Sequence, residues 1–591
     1  MTTRQDEARL AAFRAFLARK GFSGALVLTS DPHLCEYVPE HWQLRAALSG
    51  FKGSAGTLLV LPNELALATD SRYWEQAQRE LPSGAELIRR PASDLAACAN
   101  WFSERLPAGS VVAVDEKTIS YEDALLCEEA FAACGLKFLP TAFDWSGIWP
   151  ERPKPVSSAI AEMRRPCVER GEKMRAVREK LAESGSIGLL LESLDDVAWV
   201  TNLRGADVPN NPVFEAELLV TQSRAMLYAD AGRFSDALLE KLQREAIDVR
   251  PSAELERDLA KLAEQGRILV DPSTVTVDLL EAIGEERLSF TKPNPVAARK
   301  AEKTSEELEA IAEAHLLDAI ALTEFYAELD ERLSKGERLT EWNAAECLHA
   351  HRARMPGFLD ESFPTIAAYG PNAAMPHYQP FAGRSSVLKP GNLLLIDSGA
   401  QYDCGTTDVT RMSAVGMPSE AMRRDVVLAT RAMLRLLHLK FPVGTTGAQV
   451  DVAARMELWR EGIDFGHGTG HGVGYVLNVH EGPVTISPRA TRFAMAPGNV
   501  VSNEPGIYRP GEWGVRVENL MFVRKAESTA FGEFLAFEPL TLCPIDVRVL
   551  GRPFGELFEQ LNAFNRRCVE ALRNRVSPRA LAWLEKAAAP L

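Results

Sequence analysis

The 591-residue sequence lacks any long apolar run. A helix that crosses a bilayer needs about 18 or more consecutive apolar residues, and no stretch approaches that length. The N-terminus is charged and amphipathic, without the apolar segment and small-residue cleavage site of a secretion signal. We therefore expect a protein that neither spans a membrane nor is secreted.

Cysteine pairs and basic clusters are missing as well. The nine cysteines are scattered, odd in number and without a CxxC motif, which fits reduced thiols in the cytoplasm. The formal charge is −15, and no run of Lys and Arg is present to contact phosphates. We expect a cytoplasmic globular protein that binds no nucleic acid.

Two stretches in the first half of the chain resemble each other, residues 24–73 and residues 188–234. Each set of short apolar strands is accompanied by an amphipathic helix pattern, at 93–106 and at 252–265. The proline-rich segment 149–155 between the two copies is typical of an extended linker. The pattern predicts two tandem, related α/β domains.

A third domain is predicted to begin after the Lys-Pro-Asn-Pro segment at 292–295. There, Thr304 and Glu307 have the spacing of a helix capping box and precede apolar residues at helical intervals. A long amphipathic helix is therefore expected at the start of this domain. A chain of this length is too large for one hydrophobic core, so a third domain is no surprise.

Two segments of the third domain share a turn, a strand and an acidic residue seven places after a proline, at 390–397 and 497–504. A second strand with an acid follows each of them, Asp408 in one case and Glu518 in the other. Any one of these acids is explained by a turn, which Asp favours. Four carboxylates in two similar hairpins are better explained by a bound cation, because buried carboxylates need a partner. The sequence predicts a divalent metal site.

Glycine and histidine are concentrated in FGHGTGHGVGYVLNVHEGP, residues 465–483. No GxGxxG register and no Gly-Lys-Ser/Thr occurs there, so a nucleotide-binding loop is excluded. We expect these glycines to let backbone approach a ligand or to adopt positive φ, at the wall of a crowded site. A hydrogen-bonded structural role remains an open alternative for any single histidine.

One imidazole with four carboxylates is an oxygen-rich ligand set. Such a set suits Mn²⁺ or a similar ion, whereas many zinc sites use thiolate ligands. Four carboxylates exceed the charge of one divalent ion. Two ions about 3.5–4 Å apart, bridged by a hydroxide, would balance them and supply a nucleophile near neutral pH.

These motifs resemble those of cytosolic X-prolyl aminopeptidases of the aminopeptidase P type, in the pita-bread metallopeptidase superfamily. The resemblance covers essentially the whole chain, and the segments that carry it are residues 49–57, 69–74, 202–214, 395–411, 468–474, 477–483, 502–506 and 515–519. It implies an α/β and α+β multidomain protein. The implied domains are two creatinase-like α/β domains (1–150 and 156–295), a pita-bread catalytic domain (300–535) and a C-terminal helical extension of it (536–591).

The resemblance also implies roles for single residues. The implied ligands of two metal ions, usually manganese, are Asp397, Asp408, His471, Glu504 and Glu518. Glu504 would also accept and donate the proton of the bridging water. His377 and His480 would contact the substrate and stabilise the tetrahedral intermediate, and His467 would bind substrate. Arg516 would support the metal carboxylates.

The implied activity is hydrolysis of the bond between an N-terminal residue and a following proline, by a hydroxide that bridges the metals. Peptides with proline at the second position are the expected partners, and a homodimer the expected assembly. One alternative is a prolidase that cleaves Xaa-Pro dipeptides, against which the two tandem N-terminal domains argue. The other is a non-catalytic peptide-binding relative, against which the complete set of five ligands argues.

Overall fold

The structure is a computed structural model that describes residues 4–489, 493–551 and 555–591. The chain divides into two compact units, residues 1–297 (unit one) and residues 298–591 (unit two). Among the described residues, no helix combines the length and the apolar character needed to cross a membrane.

A six-stranded mixed sheet organises the first half of unit one. Its helices and strands are α1 (Arg4–Lys20), β1 (Gly24–Val27), α2 (Leu44–Ser49), β2 (Thr57–Val60), β3 (Leu65–Ala68), α3 (Trp74–Glu80), β4 (Glu86–Ile88), α4 (Leu95–Ser103), β5 (Val111–Asp115), α5 (Tyr121–Ala133), β6 (Lys137–Thr141) and α6 (Trp145–Ile148). The strand order is β4-β3-β2-β1-β5-β6. Both faces are covered, since Ala25 packs with Phe13 of α1 and Leu26 packs with Phe102 of α4.

The second half of unit one contains another six-stranded sheet. Its elements are β7 (Ala161–Glu162), α7 (Arg170–Glu183), β8 (Gly188–Leu191), α8 (Leu194–Thr201), β9 (Leu203–Arg204), β10 (Glu217–Thr221), β11 (Ala225–Tyr228), α9 (Asp236–Arg244), β12 (Ile247–Arg250), α10 (Leu255–Ala263), β13 (Ile268–Val270), α11 (Val277–Ile283) and β14 (Leu288–Phe290). The order is β12-β11-β10-β8-β13-β14. Helix α12 (Pro295–Lys300) follows and contains the division between the units.

The two sheets of unit one have the same topology. In both, the first strand lies between an antiparallel neighbour and a parallel one, β2 and β5 around β1 and β10 and β13 around β8. The outer pairs match as well, since β3 with β4 and β11 with β12 are both parallel. The predicted pair of related α/β domains is confirmed.

Unit two combines helices with several short sheets. Its elements are α13 (Ser305–Ser334), α14 (Glu341–Arg352), β15 (Phe358–Glu361), β16 (Ile366–Tyr369), β17 (Asn392–Ser398), β18 (Ala400–Tyr402), β19 (Gly405–Thr406), β20 (Val409–Val415), α15 (Glu420–Leu437), β21 (Lys440–Pro442), α16 (Gly447–Trp459), β22 (Gly470–Gly472), β23 (Glu481–Ile486), β24 (Val500–Asn503), β25 (Gly506–Arg509), β26 (Trp513–Arg516), β27 (Asn519–Thr529), β28 (Gly532–Pro539), α17 (Phe558–Leu572) and α18 (Pro578–Ala587). The main sheets have the orders β16-β17-β20 and β21-β28-β27-β24-β22-β23.

The predicted capping box starts α13. The Glu307 amide donates to the Thr304 hydroxyl over 3.2 Å, and the Thr304 amide donates to the Glu307 carboxylate over 3.0 Å. These bonds satisfy two amides that a helix start would leave without partners. The buried face of α13, which includes Leu322 and Phe325, packs against α14, α18 and the sheet of β17.

The two segments with acidic strand ends form corresponding strand pairs, but they are not simple hairpins. Strands β17 and β20 pair antiparallel, and so do β24 and β27. A small two-stranded excursion interrupts each pair, β18 with β19 in the first and β25 with β26 in the second. The predicted symmetry is present at a larger scale, because each pair is joined by two further strands rather than by one turn.

Candidate metal centre

The four acidic residues singled out in the sequence lie at the ends of these strand pairs. Asp397 is on β17 opposite Thr410 of β20, and Asp408 directly precedes β20. Glu504 directly follows β24, and Glu518 directly precedes β27. Asp397, Asp408 and Glu518 are buried, with exposed fractions of 7%, 4% and 1%. The folding of two strand pairs therefore gathers carboxylates in the interior of unit two.

His471 lies among these carboxylates, in the middle of the short strand β22. Its Nε2 atom is 3.5 Å from Asp408 Oδ2 and 3.4 Å from Glu504 Oε1. Ligand atoms of Asp408, His471 and Glu518 lie within 4.8 Å of one another, a grouping that can hold a metal ion. The Nδ1 atom is 2.9 Å from the Gly472 carbonyl, which can only accept, so Nδ1 carries the hydrogen and Nε2 is left as a ligand.

Two of the carboxylates have one oxygen fixed by the protein and one without a protein partner. Asp397 Oδ2 accepts from Arg516 over 2.5 Å, and Glu518 Oε2 accepts from the Thr410 hydroxyl over 2.7 Å. Asp397 Oδ1 and Glu518 Oε1 are buried and accept no hydrogen bond. Because an unpartnered buried carboxylate oxygen is costly, this donor set fits a bound cation.

Burial and mutual repulsion disfavour the ionised carboxylates. Burial raises the pKa of Asp397 to about 7, with Arg516 opposing the rise and neighbouring carboxylates adding to it. Burial also raises the pKa of Glu504 and of Glu518. Burial lowers the pKa of His471, but Asp408 and Glu504 outweigh it and raise the value to about 9. Bound cations would reverse these shifts, since positive charge favours the carboxylate and the neutral imidazole.

Arg516 organises one side of the site. It is 2% exposed, and besides Asp397 it donates to the Tyr508 hydroxyl over 2.8 Å and to the Pro376 carbonyl over 3.1 Å. The Tyr508 hydroxyl is in turn 2.8 Å from His467 Nε2. His467 Nδ1 lies 2.7 Å from the Gly468 carbonyl, so a neutral His467 accepts at Nε2 and Tyr508 donates to it. A continuous network thus joins Arg516 to His467.

The other two histidines stand at different points. The ring of His480 is 4.1 Å from that of His471, measured between centroids, in an edge-to-face arrangement. His377 is half-buried and follows Pro376, whose carbonyl accepts from Arg516. Side-chain contacts therefore connect His467 to Arg516 through Tyr508 and His480 to His471, whereas His377 is connected to Arg516 through the backbone of Pro376.

The glycines around His471 do not adopt the positive φ that was one of the two predicted reasons for their presence. None of the glycines from 466 to 474 has a positive φ. Instead, a Cβ atom at Gly470 would lie 1.9 Å from the Ser502 carbonyl oxygen, and one at Gly472 would lie 2.2 Å from that of Glu481. Glycine is required because β22 lies so close to the neighbouring strands β24 and β23. At Gly470 and Gly472, the close approach is of backbone to backbone.

The sequence did not predict the roles of three supporting residues. Tyr508 links Arg516 to His467, Thr410 fixes Glu518, and the Ser502 hydroxyl donates to Glu504 Oε1 over 3.1 Å. The His471 amide also donates to Ser502, over 2.9 Å. Thr410 and Ser502 each stand two residues from a predicted ligand on an extended strand, hence on the same side, and this spacing is a usable signal. Tyr508 belongs to a separate strand, and no spacing in the sequence indicates it.

Family models match nearly the whole chain in four segments. Residues 309–525 match metallopeptidase family M24, and residues 533–591 match the C-terminal region of peptidase M24. Residues 9–143 and 151–307 each match the creatinase/prolidase N-terminal domain. The predicted fold class, with two tandem creatinase-like domains and a C-terminal pita-bread domain, is confirmed.

Similar proteins cover the full length. A protein of Tuber melanosporum named "Probable Xaa-Pro aminopeptidase P" is 34% identical, and one of the same name from Pyricularia oryzae is 35% identical, each over 100% of both chains. The crystal structure of the X-prolyl aminopeptidase from Caenorhabditis elegans, described as a cytosolic enzyme with a di-nuclear active site, matches with a TM-score of 0.94. It is 29% identical and covers 100% of both chains. The chain therefore belongs to the Xaa-Pro aminopeptidase P family of M24 metallopeptidases.

Proposed function

We propose that this protein is a metal-dependent aminopeptidase that hydrolyses the bond between an N-terminal residue and a following proline. The observation that carries the proposal is the joint presence of a buried carboxylate and histidine cluster and of full-length similarity to proteins named for this activity. The similarity includes both N-terminal domains, which supports the aminopeptidase over a prolidase.

The proposed ligands are the five residues that surround the unpartnered oxygens: Asp397, Asp408, His471, Glu504 and Glu518. Two divalent ions held there would supply Lewis acidity and lower the pKa of a water molecule toward neutrality. Four carboxylates and one imidazole form an oxygen-rich set, which supports Mn²⁺ as the resident ion. Arg516 holds Asp397 by a charge-assisted bond and so orients its free oxygen.

The proton steps are assigned to the protein's own side chains. Glu504, which accepts from the Ser502 hydroxyl and lies beside His471, is proposed to take up a proton from the attacking water and to deliver one to the departing proline nitrogen. His377 and His480 are proposed as the imidazoles that donate hydrogen bonds to the developing oxyanion. His467, whose Nε2 accepts from Tyr508, is proposed to contact the bound peptide.

Selection of the substrate follows from charge and from the shape of proline. The protein has a formal net charge of −15, which favours the positively charged N-terminal amine of a peptide, and binding of that amine limits cleavage to the first peptide bond. Proline has no N–H and a fixed ring, and this allows a site to select it by shape and by the trans form of the preceding bond.

Location and assembly are further parts of the proposal. We propose a cytoplasmic location, supported by nine free thiols, all in the described part of the chain, and by the description of the Caenorhabditis elegans enzyme as cytosolic. We propose a homodimer, supported by exposed leucines on unit one. Leu125 and Leu126 of α5 and Leu139 of the edge strand β6 are 47%, 49% and 43% exposed.

The activity is tested with three peptides that differ by one feature each. Metal-stripped protein is reloaded with Mn²⁺ and assayed on an Xaa-Pro-Xaa tripeptide, the corresponding Xaa-Pro dipeptide and the N-acetylated tripeptide. We expect cleavage of the free tripeptide at the bond before proline, and loss of most activity on the acetylated peptide.

The other outcomes separate the alternatives. Cleavage of the dipeptide alone would show a prolidase. Absence of cleavage for all three peptides, with metal bound, would show a peptide-binding protein without catalysis. The control is the metal-stripped protein without added Mn²⁺, which is expected to cleave none of the peptides.

A further inference from the structure

A second group of metal-ligating side chains lies between α13 and α14, apart from the residues of the catalytic centre. It consists of Glu328 on α13 with Cys347 and His351 on α14. His351 Nε2 is 3.1 Å from Glu328 Oε2, and Cys347 Sγ is 3.4 Å from Glu328 Oε1. One ligand atom from each residue lies within 4.8 Å of the other two.

The helices place the three side chains on facing surfaces. Cys347 and His351 are four residues apart, so they lie one above the other on one face of α14. Glu328 faces them from α13. All three line a pocket of about 330 Å³, together with Asn343 and Glu346. His351 is 7% exposed, and Cys347 and Glu328 are half-buried, so a small ion can reach the group from solvent.

The two distances from Glu328 to the other donors suit a tetrahedral ion. Ligands at about 2.0–2.3 Å from a tetrahedral Zn²⁺ are about 3.3–3.5 Å from one another. The two contacts to Glu328, 3.1 and 3.4 Å, are close to that separation. The two contacts use different oxygens of the carboxylate, so a cation held by all three residues requires Glu328 to rotate or to bind through both oxygens.

The donor types distinguish this group from the catalytic centre. A thiolate, an imidazole and a carboxylate together are soft-to-borderline ligands, and such sets select Zn²⁺ and its chemical relatives. The catalytic centre offers oxygen and one imidazole, and none of its proposed ligands is a cysteine. Arg332 and Arg579 lie 3.6 and 3.8 Å from the Glu328 carboxylate and offset its negative charge when no cation is bound. Both are partly exposed, so they can turn to solvent when a cation binds.

We propose that Glu328, Cys347 and His351 form a peripheral binding site for a zinc-class divalent cation, with three protein ligands and one position open to water. Binding releases the Cys347 thiol proton to solvent and leaves a thiolate on the ion. The ion joins α13 to α14.

Cobalt provides a direct test, because Co²⁺ bound to a thiolate absorbs in the near ultraviolet and Co²⁺ bound only to oxygen and nitrogen does not. Co²⁺ is titrated into the holoenzyme with its catalytic metals in place, and Zn²⁺ is then added as competitor. We expect a thiolate band that saturates at one equivalent per chain and disappears on addition of Zn²⁺.

Variants assign the band to this site. Cys347→Ala should abolish it, and His351→Ala and Glu328→Gln should each weaken Co²⁺ binding by more than about tenfold. Cys134→Ala, which removes another half-buried thiol, is the matched control and should leave the band unchanged. If Cys347→Ala does not fold, the histidine and glutamate variants decide the matter.

Three results would overturn the proposal. The first is a wild-type holoenzyme without a thiolate band, which would show an ordinary cluster in which Cys347 and His351 donate to Glu328. The second is a band that persists in Cys347→Ala. The third is a band that is insensitive to both His351→Ala and Glu328→Gln, since Cys347 would then bind cobalt without the other two ligands.

Discussion

At the scale of single residues, three of the proposed ligands follow one rule, in which the protein fixes one atom of the side chain and leaves another facing the cluster. Arg516 fixes Oδ2 of Asp397, Thr410 fixes Oε2 of Glu518, and the Gly472 carbonyl fixes Nδ1 of His471. Each remaining atom, Oδ1, Oε1 or Nε2, is thereby oriented before any ion binds. Such support commonly raises metal affinity by about 10–100-fold.

The adjacent rings of His471 and His480 provide a test of residue roles. In His471→Ala, a proposed ligand is lost, so we expect metal content and activity to fall together. In His480→Ala, we expect the metal to remain while kcat falls by about 100-fold or more, as for the loss of an oxyanion donor. Elemental analysis of the purified proteins and steady-state kinetics measure both quantities.

The exposed His438 at the end of α15 supplies a matched control for these variants. His438→Ala should change neither metal content nor kcat. Equal metal loss in His471→Ala and His480→Ala would show that both imidazoles are ligands and that the division of roles is wrong.

The sequence indicates the inner residues of the site better than their supports. Asp397 and Glu504 stand at the same place in two similar segments, and His471 stands in a run of glycines, so spacing alone draws attention to them. The family resemblance implies that Arg516 supports the metal carboxylates, and Arg516 does donate to Asp397. Tyr508 was missed because its contact with His467 depends on how β25 and the segment before β22 fold together.

At the scale of elements, the position of His471 depends on how closely β22 approaches its neighbours. Gly470 meets the Ser502 carbonyl oxygen, and the Ser502 hydroxyl accepts from the His471 amide. Any widening between β22 and β24 therefore displaces the imidazole relative to Glu504. The absence of side chains at Gly470 and Gly472 lets β22 pack closely against its neighbours, and this packing positions His471.

Gly470→Ala is expected to impair the centre without removing any ligand. The added Cβ would lie 1.9 Å from a backbone oxygen, so β22 must move away from β24. We expect metal affinity to fall by about 10–100-fold, as for the loss of a supporting contact. Titration of the metal-stripped protein with Mn²⁺, followed by calorimetry, measures the change.

Gly171→Ala is the control at this scale, because Gly171 lies on α7 and a Cβ there meets nothing within 4 Å. It should bind Mn²⁺ like the wild-type protein. Unchanged affinity in Gly470→Ala would mean that β22 tolerates displacement and that His471 is positioned by other contacts.

The sequence predicted the position of a helix well and the connections between strands less well. Helix α10, Leu255–Ala263, lies within the predicted 252–265, because apolar spacing and local capping define a helix from nearby residues. The strand pairs of the centre were expected as hairpins, yet each contains a two-stranded excursion. Residues such as Ala400–Tyr402 pair with β15, which is distant in sequence, and no local pattern reports that pairing.

Helix α14 connects the two proposed metal sites within unit two. Next to His351, Arg352 is fully buried and donates to Ser398 over 3.1 Å and to the Gly399 carbonyl over 3.0 Å. Ser398 directly follows Asp397. The same helix that offers Cys347 and His351 to a peripheral ion therefore supports the strand end that carries a proposed catalytic ligand.

At the scale of the whole molecule, the two units differ in their cores and in the charged groups that they bury. The cores of the two α/β sheets consist of residues from unit one alone. Four carboxylates are concentrated in unit two, where burial and mutual repulsion raise the pKa values of Asp397, Glu504 and Glu518. Bound cations are therefore expected to stabilise unit two in particular.

Removal of the metals should accordingly loosen unit two and leave unit one unchanged. A ligand present at 1,000 times its dissociation constant stabilises the folded state by about 4 kcal/mol, which corresponds to about a 1,000-fold change in opening. After chelation, we expect faster amide hydrogen exchange in β17, β20, β24 and β27, up to that factor. The sheets of β1 and β8 should exchange as before, and added Mn²⁺ should restore protection. Exchange that is unchanged everywhere, or faster to the same extent in both units, would contradict the prediction. It would show that bound cations do not stabilise the carboxylate cluster of unit two.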